Sequence, residues 1–359
     1  MTNDTEINDT GSPLPKRLRD SAVARTAGTL YRTVTDIRNN LYDLGILKTR
    51  KTGRPVISIG GLRAGGSGKT PAVMMIGRYI VGKGGNVAFL SRGYRRKGKN
   101  DIILSPGEEC DWEIIGDEPA LLRKEIPLAW CGVGADRVRT ARELCKKVPG
   151  NTIFIMDDGF QHRRLRRDLD IVCLHDNFLH DRLIPAGFLR ETTDSLSRAH
   201  IALVIGDSVE KVENTVSEAE KRFPKLDIFP MVQKPAGWVD GISGCVSKPP
   251  AGLRPLLVCG IARPERFSRM VRSMGIEPVK DLYFPDHHTY SVSDFAGKGR
   301  ELYSNWVVTT GKDYIRLQSQ KVVISANIWY LNVELAFSRP EMREKFFSII
   351  DNHLSQLYS

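Results

Sequence analysis

Residues 56–70 read Val-Ile-Ser-Ile-Gly-Gly-Leu-Arg-Ala-Gly-Gly-Ser-Gly-Lys-Thr. The opening apolar run predicts a strand, and a helical pattern follows over residues 70–81. A strand, a glycine loop and a helix in this order form the context in which a Gly-Lys-Thr motif binds polyphosphate. Backbone N–H groups at the helix start point at the phosphates, because that end of a helix carries partial positive charge. The sequence therefore predicts a P-loop that binds ATP or GTP.

The predicted phosphate cradle spans residues 65–70. Lys69 supplies a cation, and the Thr70 hydroxyl lies where Mg²⁺ binds. The residues assigned to nucleotide binding are Gly65, Gly66, Ser67, Gly68, Lys69 and Thr70. The strict motif has glycine where this chain has Arg63. The remaining glycines still let the backbone approach a phosphate closely, and an ordinary glycine turn is the alternative.

Composition excludes several classes of protein. The chain has 359 residues, enough for two domains, and its 26% charged and 41% hydrophobic residues are typical of a soluble globular protein. No run of about eighteen apolar residues occurs, and the polar residues 1–9 do not resemble a signal peptide. The six cysteines show neither a Cys-x-x-Cys pair nor zinc-ligand spacing, which predicts reduced, mostly buried thiols.

The net charge of +11 predicts an anionic partner. The excess is concentrated in the N-terminal segment and around residues 92–97 and 163–167. Nucleotide, a phosphorylated substrate, an acidic membrane surface and nucleic acid all carry the required charge. No zinc-finger spacing, aromatic RNP string or basic zipper occurs, so we expect no nucleic-acid partner. No obligate protein partner is evident.

Short apolar runs alternate with helical stretches along the chain. This alternation predicts an α/β fold with a mainly parallel sheet and helices on both faces, as in P-loop nucleoside triphosphatases. After the first strand, further strands are predicted at 87–90, 102–104, 128–131, 153–156, 171–174 and 201–205. A smaller second block has predicted strands at 256–259 and 306–309 and a helix at 264–274.

The predicted domains follow from these patterns. They are a disordered tail (1–22), a basic amphipathic helix (23–50), a P-loop domain (51–228), a smaller C-terminal α/β domain (229–337) and a terminal helix (338–359). Ser338 to Glu341 resembles a capping box at the start of that last helix. Alternating apolar residues at 329–337 predict a half-buried strand that pairs with the extended connector 229–239. This pairing would form a β-ribbon joining the two domains.

The N-terminal helix carries an apolar stripe. Leu30, Val34, Ile37, Leu41 and Leu44 recur at helical spacing and are surrounded by basic residues. A basic amphipathic helix can lie in a membrane interface, and it can equally pack against its own domain. Both alternatives remain open for different parts of the helix.

Two pairs of adjacent carboxylates are candidates for chemistry. Asp157 and Asp158 end a predicted strand, which in nucleoside triphosphatases places an Asp beside Mg²⁺. Asp117 and Glu118 precede a helix, where they predict a base for a substrate hydroxyl and an acid near the metal, or alternatively a helix cap. The histidine pair at 287–288 lacks an obvious third ligand for a metal site.

Several short strings follow the P-loop and its Pro71. They are Ser-Arg-Gly-Tyr (91–94), Gly-Asp-Glu-Pro (116–119), Asp-Arg (136–137), Asp-Asp-Gly-Phe-Gln-His (157–162), Pro-Ala-Gly (185–187), Arg-Glu (190–191), Gly-Ile-Ala-Arg-Pro (260–264), Phe-Pro-Asp-His-His (284–288) and Thr-Gly-Lys-Asp (310–313). In both sequence and order, these strings resemble the tetraacyldisaccharide 4'-kinases, a family of lipid A kinases of Gram-negative bacteria. The resemblance runs from about Leu30 to Leu335. Gly61 departs from it, because the family typically has Asn there, and the N-terminal tail is longer than usual.

The resemblance implies a reaction and a location. The reaction is transfer of the ATP γ-phosphate to the 4'-hydroxyl of a lipid A disaccharide 1-phosphate, with Mg²⁺. The location is peripheral, on the anionic cytoplasmic face of the bacterial inner membrane.

The resemblance and the chemistry of phosphoryl transfer together assign roles to individual residues. Lys69 and Arg137 would bind phosphate oxygens, and Asp117 would take the acceptor proton with His287, or otherwise His288, as its partner. The residues assigned to the Mg²⁺ site are Thr70, Glu118, Asp157 and Asp158. The residues assigned to substrate binding are Arg92, Gln161, His162, Arg190 and Glu191.

Two other classes of function would share some of these features. A P-loop GTPase switch would also carry the glycine loop, but it usually reads guanine with Asn-Lys-x-Asp, and no Asn-Lys occurs in the chain. A basic nucleic-acid-binding protein would bind DNA or RNA with strong salt dependence.

Overall fold

The computed structural model describes residues 16–250, 252–295, 306–319 and 327–358. In these ranges the strands form one twelve-stranded sheet. In chain order they are β1 Val56–Gly61, β2 Val87–Ser91, β3 Ile102–Leu104, β4 Trp130–Val133, β5 Ile153–Asp157, β6 Leu169–His175, β7 Ile201–Gly206, β8 Asp227–Asp240, β9 Leu256–Cys259, β10 Lys280–Tyr283, β11 Trp306–Thr310 and β12 Asn327–Phe337.

Helices connect most of the strands. They are α1 Lys16–Arg19, α2 Ala22–Asp43, α3 Lys69–Gly82, α4 Trp112–Ile115, α5 Asp117–Glu125, α6 Arg137–Cys145, α7 Val209–Arg222, α8 Pro264–Ser273, α9 Val292–Phe295, α10 Gly311–Ser319 and α11 Met342–Tyr358.

The strand order across the sheet is β10-β9-β11-β12-β8-β7-β6-β1-β5-β2-β4-β3. Strands β1, β2 and β4–β8 form one parallel group, and β9–β12 form a second parallel group. The direction reverses where β8 meets β12, and again at the edge strand β3. The predicted α/β fold with a mainly parallel sheet is confirmed.

Helices cover both faces of the sheet. Ile57 and Ile59 of β1 belong to a core that includes Val73 on α3, whereas Val56 belongs to a separate core with Val138 on α6. Neighbouring residues of a strand point to opposite faces, so β1 is buried from both sides. This double burial explains why the strand reads as a continuous apolar run.

The predicted ribbon is part of the sheet. β8 and β12 pair antiparallel from Met231 opposite Phe337 to Asp240 opposite Trp329, with a slip in register after Asn332. Because β8 also pairs with β7, the ribbon joins the strands of the two halves of the chain into one sheet.

Several elements begin or end at residues other than those predicted. Residues 1–15 lie outside the described residues, but the predicted disorder to residue 22 overlaps α1 and the start of α2, which the Ser21 side chain caps. α2 ends at Asp43 rather than near residue 50, close to Gly45 with its positive φ of 72°. β4 lies two residues later than expected, because Leu128 is exposed and the buried run starts after it.

The terminal helix also starts later than predicted. α11 begins at Met342, and the Ser338 hydroxyl bonds the Glu213 carboxylate instead of capping the helix. Of the six cysteines, which are all free, Cys131, Cys173 and Cys259 are buried.

Candidate active site

The phosphate cradle connects β1 to α3. Gly65 and Gly68 have positive φ values of 89° and 78°, a region that favours glycine. A Cβ on Gly68 would lie 2.8 Å from Cδ1 of Ile205, so this position has no room for a side chain. Lys69 is the first residue of α3, and Thr70 behind it is buried. The predicted order of strand, glycine loop and helix is present.

Arg63, at the position where the strict motif has glycine, does not disturb the loop. Its φ is not positive, so the backbone there does not require glycine. The guanidinium carbon lies 4.0 Å from the centre of the Phe188 ring, and the residue is buried. Arg63 therefore packs against Phe188, and the phosphate cradle at residues 65–70 keeps its glycines.

A cavity of about 1240 Å³ opens in front of the cradle. Lys69 and Arg137 line it from the N-terminal half of the chain, and Ala262, His287 and Lys312 line it from the C-terminal half. This volume exceeds that of usual small-ligand pockets, so a nucleotide and part of a second substrate can share it.

Asp158 is fully engaged with cations. Both of its oxygens accept hydrogen bonds from the Arg190 guanidinium, at 2.9 and 2.7 Å, and Lys69 Nζ lies 3.6 Å away. Its φ of 50° lies in the left-handed region, and its carboxylate lies beside Lys69 of the cradle. Burial alone would raise the pKa of Asp158, but Lys69 and Arg190 outweigh it and hold the pKa below its usual range.

Asp157 has the opposite environment. It ends β5 directly beside Ile59 of β1, and its carboxylate is buried. Burial, together with the negative charges of Glu118 and Asp158, raises its pKa to about 7. A bound cation would relieve this concentration of negative charge.

The donor set at this point fits Mg²⁺. The described residues contain no group of three or more His, Cys, Asp or Glu side chains that could hold a metal by themselves. Mg²⁺ typically takes one or two carboxylates and completes its shell with phosphate oxygens and water. Asp157 and the buried Thr70 hydroxyl offer such a partial shell, whereas Glu118 already pairs with Lys312 at 2.8 Å.

The Asp117 carboxylate and the His287 imidazole meet across the two halves of the chain. His287 Nδ1 lies 2.9 Å from Asp117 Oδ2, and the other Asp117 oxygen accepts the Glu118 N–H at 2.9 Å. The neighbouring His288 contacts Asp294 at 3.1 Å and stacks on Phe284. The geometry thus selects His287, rather than His288, as the partner of Asp117.

Of the two members of this pair, His287 reaches the large cavity and Asp117 does not. His287 lines both the large cavity and a smaller cavity of about 390 Å³, whereas Asp117 lines the smaller cavity and not the large one. Burial would raise the pKa of Asp117, but the hydrogen bond from His287 and the charges of Lys312 and Arg316 outweigh it and lower the pKa. Asp117 is therefore held as a carboxylate behind the imidazole.

Arg137 is a buried cation suited to an anionic ligand. It lines the cavity, and its Nε has no hydrogen-bond partner among the described residues. Burial, with the nearby charge of Arg92, lowers its pKa. A phosphate oxygen would supply the missing partner.

Four of the five predicted substrate residues line the cavity. They are Arg92, Gln161, His162 and Arg190. Burial and the charge of Arg137 lower the pKa of His162 to about 4, so its ring is neutral at pH 7. Gln161 Nε2 and Arg190 Nη2 both donate to the Gly61 carbonyl, at 3.1 and 2.9 Å.

Glu191, the fifth predicted substrate residue, lies away from the cavity. Glu191 is buried and does not line the cavity, because its carboxylate accepts hydrogen bonds from Asn39 of α2 at 2.7 Å and from Arg198 at 2.8 Å. Tyr31 of α2 donates to the adjacent Arg190 carbonyl at 3.0 Å. Glu191 therefore attaches α2 to the domain.

Lys312 and Arg316 are residues of the site to which the sequence analysis assigned no role. Lys312 lines the cavity and pairs with Glu118, and Arg316 approaches Asp117. Lys312 follows β11 in the string Thr-Gly-Lys-Asp, so its position directly after a strand was the sequence signal that could have identified it as a site residue. Its partner Glu118 lies 194 residues earlier in the chain, and no local pattern reveals that contact.

A family model described as tetraacyldisaccharide-1-P 4'-kinase matches residues 21–353. The chain belongs to the tetraacyldisaccharide 4'-kinase family. The relative from Aquifex aeolicus is 35% identical over 88% of this chain and 94% of its own length. The relative from Bdellovibrio bacteriovorus is 33% identical over 88% of this chain and 95% of its own.

A solved member of the family has the same fold. The crystal structure of the "apo" form of LpxK from Aquifex aeolicus in complex with ATP superposes with a TM-score of 0.74. The two chains are 33% identical, and the match covers 93% of this chain and 99% of that one.

The apolar stripe of α2 is mostly exposed. Leu30, Val34 and Ile37 are 68%, 58% and 55% exposed, while the opposite side of the helix holds Asn39 and the contacts to the domain. Among the described residues, no helix combines the length and the apolar character that crossing a membrane needs.

The basic cluster at 163–167 is internally paired. Arg163, Arg164 and Arg167 each bond an aspartate, at 2.6, 2.9 and 2.9 Å, and Arg166 lies 3.7 Å from Asp168. This cluster is therefore largely neutralised within the protein.

Proposed function

We infer that the protein is an ATP-dependent kinase that transfers the γ-phosphate to the 4'-hydroxyl of a tetraacyldisaccharide 1-phosphate in lipid A biosynthesis. The observation that carries this inference is that one cavity joins a P-loop to an Asp–His pair, in a chain of the tetraacyldisaccharide 4'-kinase family. The P-loop supplies the phosphate donor site, and the pair supplies an acceptor for the hydroxyl proton.

Lys69 and Arg137 are proposed to bind the transferred phosphate. Lys69 stands at the helix start, where its charge adds to that of the backbone N–H groups. Arg137 lies in the wall of the same cavity with an unsatisfied N–H. Two cations fixed around the phosphoryl group stabilise the negative charge that it carries during transfer.

Thr70 and Asp157 are the proposed holders of Mg²⁺, with Asp158 and Glu118 close by. When bound, Mg²⁺ would neutralise phosphate charge and orient the nucleotide. Asp158 keeps Lys69 and Arg190 in place through its ion pairs, and Lys312 does the same for Glu118.

The Asp117–His287 pair is proposed to take the proton of the acceptor hydroxyl. Asp117 alone is a poor base, because its environment lowers its pKa. His287 lies between Asp117 and the cavity, so we place the imidazole next to the hydroxyl and Asp117 behind it. The carboxylate then stabilises the protonated imidazole, and the two residues act as a unit.

The acceptor disaccharide is proposed to bind along Arg92, Gln161, His162 and Arg190. These residues line the cavity and offer cations and amide groups, which suit an anionic sugar phosphate. Arg190 also bonds Asp158, so acceptor and nucleotide sites share a residue.

α2 is proposed to lie in the anionic cytoplasmic surface of the inner membrane. Its exposed apolar stripe would enter the interface while Asn39 and Tyr31 hold the opposite side on the domain. Of the two alternatives predicted from the sequence, membrane binding would then apply to the apolar face of the helix, and packing against the domain to the opposite face.

Activity with two nucleotides and with or without acceptor tests the proposed function. With Mg²⁺ and a tetraacyldisaccharide 1-phosphate in detergent micelles, ATP should give a bisphosphorylated lipid. Nucleotide turnover without acceptor should be far slower. Acceptor-independent GTP turnover would instead support the GTPase alternative.

A further inference from the structure

Arg316 is a buried arginine beside the proposed catalytic pair. It lies on α10, and only 1% of the residue is exposed. An arginine keeps its charge in the interior, so it requires acceptors around its planar fork.

The acceptors of Arg316 come from separate segments of the chain. Its Nη2 lies 3.0 Å from Asp313 Oδ1 and donates to the Gly260 carbonyl at 3.1 Å. Its Nη1 donates to the His288 carbonyl at 3.3 Å, and its Nε lies 3.7 Å from Asp117 Oδ2. One guanidinium thus contacts the Asp117 carboxylate and the loop that carries His287.

The backbone of His287 shows why this loop needs support. Its φ of 61° lies in the left-handed region, which is unfavourable for residues other than glycine. Such a conformation persists when neighbouring contacts fix it. Here Asp117 holds the imidazole, and Arg316 holds the carbonyl of the next residue, His288.

We propose that Arg316 is a positioning residue for the Asp117–His287 pair; this inference rests on the proposed function. The guanidinium fixes the separation between the carboxylate and the histidine loop, and so keeps the two side chains at hydrogen-bond distance. Loss of this bridge lowers the rate of phosphoryl transfer, because small displacements of reacting groups are costly. It leaves ATP binding nearly unchanged, since Arg316 does not line the large cavity.

A matched control separates positioning from stability. The Tyr290 hydroxyl donates to Asp313 Oδ1 at 2.7 Å, and the residue is fully buried. Tyr290→Phe removes one hydrogen bond from the same buried network without removing a contact to Asp117 or to the His288 carbonyl. A purely structural role predicts that Arg316→Gln and Tyr290→Phe change kcat alike.

The experiment compares the full-length wild type with four single variants and one double variant. The single variants are Arg316→Gln, Arg316→Lys, Tyr290→Phe and His287→Ala, and the double variant combines Arg316→Gln with His287→Ala.

We expect Arg316→Gln to lower kcat on the disaccharide 1-phosphate by about 10- to 100-fold. The Kd for ATP should stay within about 2-fold, and Tyr290→Phe should keep kcat within about 2-fold. The kcat of Arg316→Lys should lie between those of the wild type and Arg316→Gln, because one ammonium cannot bridge both Asp117 and the His288 carbonyl. The double variant should match His287→Ala within about 2-fold, as for residues acting as a unit.

Wild-type kcat in a folded Arg316→Gln protein would overturn the proposal, as would additive losses in the double variant. If Arg316→Gln does not fold, Arg316→Lys decides: an unchanged kcat overturns the proposal, and a reduced kcat with unchanged ATP affinity supports it. A wild-type protein that binds ATP but never phosphorylates the disaccharide would contradict the proposed function itself, and with it the reaction that Arg316 would serve.

Discussion

Asp117 and His287 are 170 residues apart in the chain, and their side chains meet at 2.9 Å. The sequence could nominate both, because an acidic pair before a helix and a histidine pair in a loop are chemically suited to proton transfer. It could not choose between His287 and His288. The choice depends on the direction of each ring, which Asp294 and Phe284 set for His288.

Asp117→Asn and His287→Ala should each lower kcat by roughly 10²- to 10⁴-fold, the usual contribution of a positioned acid or base. The Kd for ATP should change little, because neither residue belongs to the P-loop. Steady-state kinetics and nucleotide titration measure the two quantities. His288→Ala is the matched control and should keep most of its kcat.

The double variant Asp117→Asn with His287→Ala should be little worse than the worse single variant. Independent, additive losses would contradict a shared role, and so would a normal kcat in His287→Ala.

His162 makes a prediction about acid stability. Its pKa is about 4 in the fold, below the usual value near 6.5, so the unfolded chain takes up the proton first as the pH falls. The neutral ring's contribution to stability is therefore complete above about pH 6.5 and is lost between about pH 6.5 and 4. Between pH 7 and 4.5 the free energy of unfolding of the wild type should fall more than that of His162→Gln. Urea titrations at several pH values measure this difference, and parallel pH profiles would count against it.

At the scale of elements, apolar runs predicted the central strands well. A strand such as β1 is buried on both faces, so its sequence alone identifies it. Ends of helices were predicted less well. Ser338 resembles a cap, yet its hydroxyl bonds Glu213 on α7, a tertiary contact that local sequence does not encode. The contact between Glu191 and Asn39 could not be predicted for the same reason, since Asn39 lies on a helix distant in the chain.

The two faces of α2 make a prediction about membranes. Val34→Asp with Ile37→Asp replaces two exposed apolar residues and should weaken binding to anionic liposomes, through lost apolar area and added negative charge. Thr33→Asp with Asn40→Asp adds the same charge at exposed polar positions and should weaken binding much less. Sedimentation with vesicles measures both pairs, and activity on micellar acceptor checks that the fold is intact. Equal binding of all three proteins would refute an interfacial role for this face.

At the scale of the whole molecule, the site forms only where the two halves of the chain meet. The sequence predicted both halves and the ribbon between them. It did not predict that β8 and β12 join all the strands into one sheet, or that Lys312 reaches Glu118 across the cavity. Such contacts depend on the packing of distant segments, which periodicity and motifs do not specify.

The central claim is that this cavity transfers phosphate from ATP to the 4'-hydroxyl, and a position-resolved product measurement tests it most directly. Purified protein with Mg²⁺, ATP and a tetraacyldisaccharide 1-phosphate should give the 1,4'-bisphosphate, identified by mass spectrometry and ³¹P NMR. Lys69→Ala, with circular dichroism like that of the wild type, should give almost none. A phosphate at another position, or full turnover by a folded Lys69→Ala protein, would contradict the account.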